Sequence, residues 1–308
     1  CIIAPETESQ DGYYSTLNGV LAHECGHLFY GFFDVYDFES GLPVVGYWSL
    51  MDSGNQVGSR IRLNDGSEIF ATGLLPPSID PYQRQNTGDA LRPVEVAYGD
   101  TMTILDSERH PDVRRVGLSS DEFLLIENRY LAPSSAVELA QDPVTHVVLG
   151  PLTPDSLEYD ALLPGGGMLV WHVDESVIIK EGFTPLDTSL RANPDYGVNT
   201  NPVRLGLSLI EADGLGDLGD LGSPYFLGSP FDPFFLSNYA VLSDTTHPNL
   251  LPHTKTRPHV TLSFLDDPLP AMRLAASRAW QLPGWPISVS FPAGGPQLLT
   301  VDADGDLV

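Results

Sequence analysis

His23, Glu24 and His27 are the residues whose types and spacing most directly imply chemistry in this chain, within the stretch AHECGHLFYGFFDVYD from Ala22 to Asp37. On a helix of about 3.6 residues per turn, positions four apart project from one face, so two imidazoles can converge on a single ion. That is half of a zinc site. Glu24 lies on the neighbouring stripe, where its carboxylate can reach a metal-bound water without binding the metal, the position of a general base.

A helix face supplies only two ligands, so a third has to come from elsewhere. Gly31 can take a left-handed C-terminal turn that throws the chain back towards the histidines. Asp34 and Asp37 follow it directly, and either is a candidate third ligand. Further on, GYWSLMDSG places Met51 in a tight turn flanked by Ser and Gly, as a second loop passing beneath a metal site would need.

Several motifs carry a family resemblance: APETESQDG (Ala4 to Gly12), GVLAHECGH (Gly19 to His27), DVYD (Asp34 to Asp37) and VVGYWSLMDSG (Val44 to Gly54). Together they resemble metzincin zinc endopeptidases, and more closely the immune inhibitor A-like secreted metallopeptidases. The resemblance implies secreted, zinc-dependent proteolysis, with His23 and His27 as ligands, Glu24 as base and Met51 as the Met-turn residue. It also implies an acidic third ligand, carried over to Asp34. In that family the Gly and the third ligand usually follow the second His by about three and six residues; here Gly31 and Asp34 follow one position later. The extra residue leaves Asp37 as an alternative. Some metzincins carry a Tyr two residues after the Met, and Ser53 stands there in this chain.

Composition narrows the partners. The 308 residues hold 15 Lys plus Arg against 41 Asp plus Glu, a net charge of -26 that repels nucleic-acid phosphates and anionic membrane surfaces. Nucleic acid is thereby excluded as an expected partner, and protein or peptide substrates take its place. With 29 Gly and 27 Pro, the acidic surplus suits an extracellular or cell-surface, loop-rich protein that binds calcium or tolerates salt, with a solvated acidic surface as the plainer reading of most of the carboxylates. No apolar run is long enough for a transmembrane segment. Two cysteines, Cys1 and Cys25, make no disulfide framework, and Cys25 reads as a small buried helix residue. The chain starts at Cys1 almost on top of the ligand helix, so the expectation is a piece of a longer precursor with further domains on both sides.

The elements that must position these residues follow from pattern. Ser15 or Thr16 can cap the ligand helix, with Leu17, Val20, Leu21 and Leu28 as its expected buried stripe. From Phe38 to Pro77 the pattern is irregular, and LLPPSIDPYQR (Leu74 to Arg84) reads as a Pro-stopped loop entering a short helix. Strands are expected at Thr101 to Leu105, Val113 to Leu118, Glu122 to Leu131, Gly167 to Asp174, Val203 to Asp213 and His259 to Leu265. EFLLIENR, LPGGGMLVWHVDE and LSLIEADG among them also resemble the post-catalytic region of the same metallopeptidases. The expected fold class is α+β: the C-terminal part of a metzincin-like zinc protease domain, holding the ligand helix and Met turn, followed by an antiparallel β-sandwich-like domain. Its units are residues 1–95, an active-site subdomain; 96–275, a β-rich post-catalytic domain; and 276–308, a linker and the start of a further repeat.

Three more groups bear on metals. His172 could ligate beside Asp174 and Glu175, but on a strand a packed or hydrogen-bonded His is the plainer reading. Asp213, Asp217 and Asp220 punctuate a Gly-rich loop suited to the many-oxygen geometry of calcium. GWPISVSF and LLTVDADGDLV resemble the opening of an FG-GAP type β-propeller repeat, in which Asp302, Asp304 and Asp306 are calcium candidates.

The expected function is that of a zinc-dependent endopeptidase working through metal-activated water and a glutamate base. Its competitor is a non-catalytic, calcium-dependent extracellular surface or adhesion module that keeps a structural zinc site. An uncommitted Glu24 favours the enzyme, because a structural zinc would fill its fourth position with protein.

Overall fold

The computed structural model describes residues 14–15, 17–85, 87, 91–132, 138–141, 144, 148–152, 158–180, 197–281 and 288–290. Fifteen strands and three α-helices are found among them, which makes the chain α+β with most of its regular structure in sheets. In chain order they are β1 (Tyr14–Ser15), α1 (Leu17–Cys25), β2 (Gly58–Arg62), β3 (Glu68–Thr72), α2 (Pro81–Arg84), β4 (Val94–Glu95), β5 (Thr101–Leu105), β6 (Val113–Gly117), β7 (Glu122–Arg129), β8 (Glu138–Gln141), β9 (Val148–Leu152), β10 (Gly167–Asp174), α3 (Glu175–Lys180), β11 (Leu207–Leu209), β12 (Val241–Ser243), β13 (Val260–Phe264), β14 (Ala271–Gln281) and β15 (Ser288–Ser290).

The centre is a five-stranded sheet ordered β11-β10-β7-β6-β4. Its two long strands, β7 and β10, run antiparallel and are buried at every position. Alternation therefore does not divide them into wet and dry faces; it divides them between two cores. Leu124, Ile126, Met168 and Val170 point into one core with Val260, Leu262, Phe264, Met272 and Leu274 of the second sheet, in which β14 is flanked by β5 and β13. Phe123, Leu125, Leu169, Trp171 and Val173 point the other way, into a core with Phe32, Phe33, Val35, Val45, Trp48, Leu50 and Met51. The segment that carries His23, His27 and Asp34 is thus a third layer, laid on the far face of the central sheet.

Buried charge joins these layers. Arg129 at the end of β7 is fully buried between Asp160 and Glu127, at 2.9 Å from each. It also donates to the Ile79 carbonyl at 3.2 Å, while Asp160 accepts from Ser78 N at 2.9 Å. Trp171 Nε1 and Arg84 complete the partners of Glu127. Residues 78–84 are therefore tied to the central sheet by a network that uses both oxygens of Glu127 and of Asp160 and leaves one buried donor, Arg129 Nε, without a partner. Asp80 caps α2, accepting from Gln83 N at 2.9 Å, with Pro81 in the first turn as the sequence pattern predicts.

Several expectations are corrected. Leu21 and Leu28 of the ligand segment are 38% and 50% exposed, and Val20 is half-buried, so the apolar stripe is not what the helix buries. It buries Gly19, His23 and Gly26 instead, because close packing of its backbone needs a face with little side chain. Within the stretch read as irregular, β2 and β3 pair as an antiparallel hairpin, and β1 joins β3 in parallel. Of the expected Val203 to Asp213 strand, only Leu207–Leu209 forms β11: residues 203–206 lie in turns and bends ahead of it, and the acidic loop begins after Ile210, whose N still donates to the Val170 carbonyl at 2.9 Å. β14 continues to Gln281, past the boundary placed at 275. No helix among the described residues is long and apolar enough to cross a membrane.

Removing Asp160 leaves Arg129 and Arg84 to share the single carboxylate of Glu127, so one buried positive charge goes unmatched. Asp160→Ala is expected to cost about 3–5 kcal/mol of stability, read as a lower urea midpoint for the transition followed by tryptophan fluorescence.

Candidate metal centre

The ligand helix ends in a change of pitch. After α1 the chain widens into a single π turn, Gly26–Tyr30, which Gly31 closes in the left-handed conformation (φ 70°, ψ 31°). Gly31 N donates to the His27 carbonyl at 3.2 Å and Phe32 N to the Gly26 carbonyl at 3.3 Å. A π turn holds one residue more than an α turn, so it takes up the extra position between His27 and the returning loop. Gly31 works as the sequence predicts, because an L side chain is strained at such a φ.

Past Gly31 the chain folds back and is fixed on both sides of Asp34. Phe33 N donates to Gln83 Oε1 at 2.7 Å, and Gln83 Nε2 returns a bond to the Phe33 carbonyl at 3.1 Å. Val35 N donates to the Met51 carbonyl at 2.8 Å, and the Val35 carbonyl accepts from Asn199 Nδ2 at 2.6 Å. Gln83 and Asn199 were invisible to sequence reading, since both act through bonds between distant segments. The Pro-stopped entry into a short helix over Leu74 to Arg84 was the local hint of a turn there.

Met51 is fully buried beneath the helix. A Cβ built on Gly26 would lie 2.9 Å from Met51 Sδ, and one on Gly19 would lie 1.8 Å from the Asn55 carbonyl oxygen. These two glycines let the helix rest directly on the turn through residues 49–56. The Leu50 carbonyl is thereby brought to 3.0 Å from His23 Nδ1, while the Phe32 carbonyl lies 2.6 Å from His27 Nδ1. A carbonyl can only accept, so both rings carry their proton on Nδ1 and present a bare Nε2 lone pair when neutral.

His23 Nε2, His27 Nε2 and Asp34 Oδ1 then form a nearly equilateral triangle with edges of 3.0, 3.1 and 3.1 Å. Asp34 Oδ1 is buried without a hydrogen bond. Three lone-pair atoms facing one another at this distance repel unless a cation or a proton lies between them. Ligands of a tetrahedral zinc with bonds of about 2.0–2.1 Å stand about 3.3 Å apart, so the donor set and its spacing fit such an ion. Burial alone would raise the Asp34 carboxyl, yet the two imidazoles hold it well below the usual carboxylate range. Burial likewise opposes charge on His27, but Asp34, the Phe32 carbonyl and Glu24 outweigh it and raise its pKa. Both directions describe a pocket built for positive charge.

Glu24 is half-buried, outside the triangle, with its charge felt at both His27 and Tyr36. Tyr36, which sequence reading passed over, is brought to Asp34. Burial, then the charge of Asp34 and a hydrogen bond to it, raise the phenol well above its ordinary value, so it stays protonated and donates to that carboxylate. Asp37 is not in the group: it faces its own turn, accepting from Glu39 N at 3.0 Å and from Ser40 Oγ at 2.5 Å. The Ser53 hydroxyl is spent on Asp52 at 3.0 Å. Cys25 is a half-buried free cysteine rather than a fully buried one.

The acidic loop regroups. Asp217 approaches Glu211 and Asp232, while Asp213 and Asp220 each close a local turn by accepting from Leu215 N and Gly222 N. Asp217 Oδ1 is buried without a partner, and burial raises Glu211 to about 7 and Asp232 to about 6. An all-oxygen set of this kind suits a hard cation such as calcium. Asp302, Asp304 and Asp306 lie outside the described residues.

The chain matches no family model, no curated protein and no solved structure.

If Asp34 completes the triangle, Asp34→Ala should weaken zinc binding by more than the roughly 10–100-fold that loss of an outer-shell partner costs. Asp37→Ala should stay within a few-fold of the parent in the same competitive chelator titration.

Proposed function

We propose that the chain is the zinc-binding part of a secreted, metzincin-like endopeptidase of the immune inhibitor A type, acting on protein or peptide substrates. The observation that supports it most is the triangle of His23 Nε2, His27 Nε2 and Asp34 Oδ1, with Glu24 beside it and uncommitted to it. Three protein ligands leave a tetrahedral ion one open position, the mark of a catalytic rather than a structural site. Zinc held there supplies a Lewis acid and lowers the pKa of a bound water towards neutrality.

The residues divide the remaining work. The Leu50 and Phe32 carbonyls fix the tautomer and plane of the two rings, so their lone pairs need no reorientation. Tyr36 holds the Asp34 carboxylate in place from outside the triangle. Glu24 takes the proton of the attacking water and later gives it to the leaving amine. A calcium ion at Glu211, Asp217 and Asp232 would brace the loop beside the Met turn, since Asp232 Oδ2 also accepts from Trp48 Nε1 at 2.8 Å. The extracellular setting and the absence of nucleic-acid partners follow from the -26 charge and the family resemblance.

The test is Glu24→Gln in the full-length natural protein. Zinc content should be unchanged, while casein digestion falls by about 10²–10⁴-fold. Zinc-loaded parent protein that digests no casein would sink the enzyme reading and leave the non-catalytic surface module, while digestion unaffected by a zinc chelator would sink the zinc-dependent mechanism. Tyr36→Phe is expected to lower activity or zinc affinity by about 10–100-fold, as for other outer-shell partners. A variant indistinguishable from the parent in both would remove Tyr36 from that role.

A further inference from the structure

Glu122, His172 and His253 come together at the opposite face of the central sheet, away from the triangle. Glu122 opens β7 and His172 lies on β10; the pairing sets Glu122 opposite Asp174, so it is diagonal to His172 on the same face. That face is the one turned towards the second sheet, with Leu124 and Val170 as neighbours in the core. His253 arrives from residues 244–259, which link β12 to β13 of that second sheet.

The donor atoms converge. His172 Nε2 lies 3.2 Å and His253 Nδ1 3.0 Å from Glu122 Oε2, and the two imidazoles meet edge to face with centroids 5.0 Å apart. His172 is 7% exposed and its Nε2 has no hydrogen-bond partner, a buried nitrogen aimed at the cluster and unused. His253 Nδ1 can hold a single proton, yet Asp174 Oδ2 also lies 3.0 Å away. Hydrogen bonding within the cluster therefore cannot satisfy all of it. Two carboxylates, Glu122 and Asp174, face one permanent cation, Arg204, which reaches Asp174 at 2.7 Å. One more positive charge fits.

We propose that Glu122 Oε2, His172 Nε2 and His253 Nδ1 form a second metal site, for zinc or a similar borderline ion. Two imidazoles and one carboxylate suit such an ion; calcium would need six to eight oxygens. The site clamps the 244–259 segment onto the ends of β7 and β10. His253 N already donates to Glu122 Oε2 at 2.7 Å, so backbone and metal would hold the same carboxylate. Asp174 stands beside the site with its carboxyl fixed by Arg204 and Ser176.

Zinc per chain, measured by mass spectrometry after loading and gel filtration, tests this in the full-length natural protein. His23→Ala/His27→Ala removes the triangle, so the clamp should leave one zinc on that double variant. Adding Glu122→Gln or His253→Ala should remove it, and zinc should then no longer raise the melting temperature. A double variant with native circular dichroism and no zinc overturns the clamp, as does zinc that survives both further substitutions. Parent protein holding one zinc, kept by the double variant and lost with His253→Ala, would support the clamp and sink the triangle instead.

Discussion

Helix α1 rests on the turn through Met51 at backbone distance, and the convergence of His23, His27 and Asp34 depends on that contact. Gly19 and Gly26 are seven residues apart, nearly two helical turns, and they put two bare patches on the face that meets the turn. With that approach made, the Leu50 carbonyl reaches the His23 ring and the Met51 carbonyl takes the Val35 amide. The turn thus orients a ligand on the helix and anchors the loop that returns Asp34. A side chain at either glycine would lift the helix away and loosen both together.

The central sheet makes the arrangement stiff. Its β7 and β10 strands are buried on both faces, so each supports a layer on either side. On one face lie Trp48, Met51 and the segment behind Asp34; on the other lies the second sheet with the Glu122, His172 and His253 group. Charge is buried at the ends of these strands in networks that cross between layers: Arg129 with Glu127 and Asp160 at one end, Glu122 and Asp174 with Arg204 and His253 at the other. Hydrophobic burial is non-directional and leaves sliding freedom; ion pairs with fixed geometry remove it.

The π turn accommodates the seven-position interval between His27 and Asp34. An inserted residue in an α-helix would rotate everything beyond it by about 100° and carry the loop away from the histidines. Confined to one wide turn and ended at Gly31, the insertion leaves His23 and His27 on one face and Asp34 within 3.1 Å of both. Asp37, three residues on, is consumed by its own turn.

Local pattern determined what lies within one or two turns of chain. The four-residue interval of His23 and His27, the left-handed role of Gly31, the Pro-led short helix ending at Arg84 and the β7 and β10 strands were legible because each depends on neighbours along the sequence. Pattern misjudged the helix face, since Leu21 and Leu28 obey an amphipathic period while backbone packing at Gly19 and Gly26 decided what was buried. Tertiary structure alone placed Asp34 rather than Asp37 beside the two histidines, brought Tyr36, Gln83 and Asn199 to its neighbourhood, and joined His172 to His253 across 81 positions. Convergence of side chains from separate layers is fixed by how the layers stack, and no period of 2 or about 3.6 residues encodes it.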